Sequence, residues 1–118
     1  MSLHQKVKAR LMSRKLKIGP LTYDVRKASA NLGEVAEWND PEDDDAYFGG
    51  ISHTNQIIFL NEENTPDRGK VALLHEVLHA VSEQYAAEMS EGQVSCMATG
   101  LVDVLNRNKW FREEMCSL

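Results

Sequence analysis

The residues with the clearest chemical potential are His75-Glu76-Val77-Leu78-His79. Two histidines four residues apart stand one turn apart on a single face of an α-helix, so both imidazoles can reach one metal ion. The glutamate after the first histidine sits at the shoulder of that ion, where it can take a proton from water. This is the division of labour in the HExxH zinc pattern. The spacing predicts that His75 and His79 bind Zn²⁺ and that Glu76 is the catalytic base. The competing reading is two satisfied histidines on a half-buried helix. The added glutamate, a helix start and apolar flanks favour the metal.

The geometry requires a helix. Thr65 suits an N-cap, Pro66 the first helical position and Asp67 the first turn. Val71, Leu74, Leu78 and Val81 recur at helical spacing, and Leu73, Val77 and Ala80 widen the stripe. A helix over about residues 66–82 is predicted.

A catalytic zinc site typically has three protein ligands and one open position. A third histidine at the HxxGxxH spacing is excluded, because Ser82 and Tyr85 occupy those places. His4 lies in the N-terminal arm and His53 at a predicted turn. The carboxylates of Glu83, Glu88, Glu91 and Asp103 are better placed. Glu83 shares the histidines' helix and cannot easily close a tetrahedron. Asp103 lies deep in the next helix, on another face. Glu91 opens that helix, and an antiparallel pair of helices would bring its first turn near His79. Glu91 is the favoured metal ligand and Glu88 the second candidate. Tyr85 or His53 could donate a hydrogen bond to the oxyanion.

The other elements follow from pattern. Ser90 with Gln93 makes a capping box, and Val94, Met97, Ala98, Leu101, Val102 and Leu105 form a stripe ending near Arg107. Cys96 is expected to be a small core residue of that helix. Asn108 is expected to cap a last short helix whose Trp110, Phe111 and Met115 pack back on the body. Upstream, Leu21, Tyr23 and Val25 alternate with Thr22, Asp24 and Arg26, which reads as one strand over 16–26 with Gly19-Pro20 marking its start. Tyr47–Ser52 and Ile57–Leu60 read as a hairpin turning at 53–56. In it, Gly49-Gly50 marks a bulge or a close backbone approach. Residues 3–16 suggest a short amphipathic helix, 27–38 a helical turn or two, and the acidic 39–45 a solvated loop.

The fold class is therefore α+β: a small antiparallel or mixed sheet of about three strands, packed against the HExxH helix and a second core helix. A basic arm or short helix over 1–15 precedes a single domain over 16–118.

The chain has 118 residues and a net charge of −5. Residues 1–30 carry eight Lys or Arg against Asp24 alone, while the rest carry five basic and seventeen acidic residues. A basic arm can contact nucleic acid, but this one has no aromatic residue before Tyr23 to stack on bases, so nucleic-acid binding is disfavoured. No apolar run is long enough to span a membrane, and no apolar stretch follows the N-terminal charges as in a signal peptide. Cys96 and Cys116 lack metal spacing and are expected to be reduced in a cytoplasmic protein.

The run Leu73-Leu74-His75-Glu76-Val77-Leu78-His79-Ala80, followed by Ser90-Glu91 and a helix carrying Ala98-Thr99-Gly100-Leu101, resembles the small bacterial and phage zinc metallopeptidases of the ImmA/IrrE-like type. The resemblance covers about residues 16–108. It implies a minimal zincin core, a small twisted sheet on two helices, with the third ligand a glutamate on the second helix. By position that glutamate is Glu91. It also implies a phage or mobile-element origin and a zinc-dependent endopeptidase acting on a protein or peptide substrate. No helix-turn-helix module accompanies the core, so any substrate-shaping lobe would come from a partner. The alternative function is a non-catalytic, metal-stabilised protein-binding module. A third is DNA association through residues 1–30.

Overall fold

The computed structural model describes residues 14–28 and 48–117. The readings made for residues 3–13, for 29–38, for the acidic loop and for His4 and Tyr47 lie outside them. The elements are β1 (Arg14–Ile18), β2 (Leu21–Ala28), β3 (Gly49–Ser52), β4 (Ile57–Asn61), α1 (Pro66–Tyr85), α2 (Glu91–Arg107) and α3 (Lys109–Cys116). The fold is α+β. The described sheet has four strands in the order β1-β2-β4-β3, where about three were expected.

The extra strand comes from Gly19-Pro20. These residues do not start a strand but turn the chain, with Ile18 paired to Leu21 and Arg14 to Val25. Gly19 has φ +57. Glycine at the first position of a two-residue loop suits a turn whose twist matches that of its flanking strands. The expected strand over 16–26 is thus an antiparallel hairpin. The boundary drawn at residues 15/16 runs through β1, so Arg14 and Lys15 belong to the sheet. Residues 14–16 are strand, not the end of an amphipathic helix. Part of the basic charge is used there, because Lys15 and Arg26 both pair with Asp24.

β2 pairs with β4 in parallel, and β4 pairs with β3 in antiparallel fashion. The β3–β4 register is continuous, so Gly49-Gly50 is a close approach and not a bulge. A Cβ on Gly50 would lie 2.5 Å from Cε1 of Phe59, the cross-strand partner whose ring is fully buried.

On the other face, Ile18, Tyr23, Ile58 and Leu60 form a core with Ala72 and Ala80 of α1. α1 lies on β1, β3 and β4, α2 packs on α1, and α3 packs on α2. α1 is therefore the middle layer. Its buried positions are Ala72, His75, Glu76 and Ala80. The larger aliphatics Val71, Leu74, Leu78 and Val81 are only half-buried, and Leu73 is exposed. Small alanines let the helix settle close to the sheet, which carries the two chemical residues inward with them.

Thr65 caps α1 through its hydroxyl, which accepts from the Arg68 N–H. The helix runs one turn further than expected, to Tyr85, and ends at Ala86 in the left-handed conformation. α2 begins with the predicted capping box of Ser90 and Gln93. Its buried stripe is Val94, Ala98 and Val102. Cys96 and Met97 are exposed, contrary to expectation, because α2 buries only the narrow strip that meets α1. Asn108 does not cap α3 with its side chain; its amide donates to the Val104 carbonyl and closes α2 instead. Trp110 and Met115 are exposed and do not pack back on the body, whereas Phe111 is half-buried. Among the described residues no helix is long and apolar enough to cross a membrane.

Candidate metal centre

His75 and His79 lie on α1 where its buried face meets the start of α2. The two Nε2 atoms are 3.1 Å apart. Glu91 reaches both, with Oε1 2.7 Å from Nε2 of His75 and Oε2 2.7 Å from Nε2 of His79. These three side chains form a group that could hold a metal ion, with one ligand atom from each lying within 4.8 Å of the others. Ligand atoms around one tetrahedral zinc, at about 2.0–2.1 Å from it, stand about 3.3 Å apart. The observed spacings are close to that. Each Nε2 faces both the other imidazole and a carboxylate oxygen, so lone-pair donors converge on one point. The donor set fits a metal.

Glu91 is delivered by the local chain. Ala86 and Glu88 both adopt positive φ, and the Ser82 hydroxyl accepts from the Met89 N–H. The link from residue 86 to residue 90 thus reverses the chain tightly against the end of α1. The Ser90 capping box then fixes the first turn of α2. Glu88 sits in the link and does not join the group, and neither Glu83 nor Asp103 does so. Asp103 pairs instead with Arg107.

Burial holds the His79 imidazole below its ordinary pKa, opposed by the Glu91 carboxylate and assisted by the charges of His75 and His53. The result favours neutral imidazole, which is the form that binds a metal.

Glu76 is 5 % exposed and His75 7 %. Glu76 lies against the start of β3: a Cβ on Gly49 would stand at ordinary contact distance, 3.7 Å, from Cγ of Glu76, while its close approach, 2.9 Å, is to the Phe59 carbonyl oxygen. Beside it opens a cleft of about 360 Å³, walled by Phe48, Val71, Ala72, Ser95 and Thr99, with His75 and Glu76 at its inner side. The Arg68 guanidinium lies 4.7 Å from the centre of the Phe48 ring and fixes one edge.

The structure brings together His75, Glu76, His79 and Glu91. It does not bring Tyr85 to them: that side chain is 66 % exposed, with its hydroxyl against the Gly19 turn. His53 lies at the β3–β4 turn, with Nδ1 3.3 Å from the hydroxyl of Tyr23. Sequence reasoning missed the cleft and Tyr23. The cleft walls come from β3, α1 and α2, and nothing in the spacing of Phe48, Ser95 and Thr99 announces a shared surface. Tyr23 was legible only as an apolar strand residue.

Comparison of the chain with known protein families, with curated proteins and with solved structures found no match.

Proposed function

We propose that the chain is a zinc-dependent endopeptidase on a minimal zincin-like core, hydrolysing a peptide bond in a protein substrate. The observation that carries this reading is the convergence of His75, His79 and Glu91 beside buried Glu76 and an open cleft. Two imidazoles and one carboxylate are a donor set of catalytic zinc sites, whereas structural sites are usually closed by four ligands, often cysteines. Here both cysteines are exposed and outside the group. When bound, zinc supplies Lewis-acid polarisation of a carbonyl and lowers the pKa of water to about 7.

Glu76 takes a proton from the attacking water. The water oxygen bonds to the carbonyl carbon, the C–N bond breaks, and Glu76 passes the proton to the leaving amine. In this reading an extended substrate adds through its backbone to a strand of the β3–β4 hairpin. The cleft beside Glu76 would receive a substrate side chain.

The test is zinc per chain in wild type and Glu91→Ala, followed by hydrolysis of fluorescein-labelled casein by the zinc-loaded wild type. About one zinc per wild-type chain, lost from the variant, with casein cleaved, is the expected result. No zinc after reconstitution would return His75 and His79 to a packing role. Zinc bound without cleavage would favour a metal-stabilised binding module.

A further inference from the structure

The cleft beside Glu76 carries hydrogen-bond donors among its apolar walls. Arg68 lines it from α1, and Ser95 and Thr99 line it from α2. The Arg68 guanidinium lies over the Phe48 ring, 4.7 Å from its centre. That contact uses the flat face of the group. It leaves the N–H donors, which lie in the plane, for an acceptor at the edge. Ser95 and Thr99 are one turn apart on α2, so their hydroxyls stand on one face of that helix.

The order of these groups along the helices gives a direction. Glu91 meets His75 and His79, and the next two turns of α2 bring Ser95 and Thr99 to the cleft that Arg68 and Val71 share. The donors therefore lie toward the N-terminus of α1 from Glu76. The rise of α1 from His75 back to Arg68 is about 10 Å, the length of about three extended residues. Two acids also line the cleft, Asp67 and Glu76. Asp67 belongs to the first turn of α1, where it faces the positive end of the helix. Glu76 is at the opposite end, beside the metal group.

We infer that Arg68 selects substrates with an Asp or Glu within about three residues of the scissile bond. Phe48, Val71 and Ala72 take the methylenes of that side chain, and the guanidinium pairs with its carboxylate. Ser95 and Thr99 offer hydroxyls to the same carboxylate from α2. The inference rests on the peptidase reading and adds the substrate class, a chain with an acidic residue beside the cut.

In the experiment the zinc-loaded full chain cuts casein, and the new ends are sequenced by mass spectrometry. Wild type gives Asp or Glu enriched at one position within three residues of the cut bond. A fluorogenic peptide built on such a site is cleaved with about tenfold higher kcat/KM than the same peptide with glutamine there, as expected for a hydrogen bond to a charged group. Arg68→Gln removes that preference at unchanged zinc content. Arg68→Glu moves it to Lys or Arg, a gain that misfolding cannot produce. The zinc-loaded Glu76→Gln chain, which holds the peptide uncut, binds the glutamate version about tenfold tighter by fluorescence anisotropy. Cut sites without acidic enrichment overturn the assignment, as does an acidic preference that survives in Arg68→Gln. Enrichment of large apolar residues overturns it by giving the cleft to its walls, and enrichment of Lys or Arg by giving it to Asp67. Each of these leaves casein cleavage by the wild type intact. Absence of that cleavage at about one zinc per chain overturns the peptidase reading, and this assignment with it.

Discussion

Glu76 combines near-complete burial with a place at the cleft. Glutamine matches its shape and cannot accept the water's proton. Glu76→Gln is expected to retain about one zinc per chain and to lose at least about 10²-fold in casein hydrolysis; normal turnover would remove Glu76 from the chemistry. A second residue-scale effect belongs to Asp24. The hydrogen bond from Lys15, with Arg26 nearby, holds its carboxyl below the ordinary value of 3.8 against an opposing effect of burial. Because the folded pKa is the lower one, the stabilisation is full above the unfolded value and disappears as pH falls through the folded value. Lys15→Ala should move the Asp24 titration up toward 3.8 and shift acid unfolding to higher pH. A carboxyl ¹³C NMR titration with an unmoved Asp24 midpoint would contradict this.

The helices of the candidate site were legible as elements because their punctuation is local. Thr65-Pro66 and Ser90 with Gln93 satisfy donors within one turn, and the structure keeps both starts. Glu91 was reachable for the same reason, since a fixed α2 start leaves little freedom in where its first side chain points. The β1–β2 hairpin was missed because the alternation of Leu21, Tyr23 and Val25 was extended back through Gly19-Pro20 as one strand, although Leu16 and Ile18 stand at even positions and the later three at odd ones. That slip of the two-residue period falls at the turn, where Gly19 takes positive φ and Ile18 pairs with Leu21. Cys96 and Met97 were misplaced because helical periodicity gives a direction but not the width of the neighbour that covers it. Gly49-Gly50 was read correctly as a possible close approach, and its cause is cross-strand. Gly50→Ala forces a Cβ into the Phe59 ring and should destabilise the fold by about 1–3 kcal/mol in urea denaturation. A loss below about 0.5 kcal/mol would show that the ring can move aside.

At the scale of the whole molecule, α1 is covered by the sheet on one side and α2 on the other, and the metal group lies on the α1–α2 seam. A ligand that binds the folded chain alone stabilises it by about 2.7 kcal/mol at a hundredfold excess over its Kd. On the proposed function, removing zinc from the loaded chain with a chelator should therefore lower the thermal midpoint by about 10 °C or more for a domain of this size, reversibly on adding zinc back. An unchanged midpoint would mean that the seam is held by packing alone.

The tight link between the helices carries a last consequence. Residues 86–90 act as a ruler: their number sets the phase of α2 against α1. Each residue added or removed, unless absorbed by a loop, turns α2 by about 100° about its axis. Such a change would carry Glu91 off the seam and offer Ser90 or Gly92 in its place, neither of which can complete the group. The make-up of the His75–His79–Glu91 group is thus written in a length as much as in a side chain, and this loop should tolerate substitution far better than insertion.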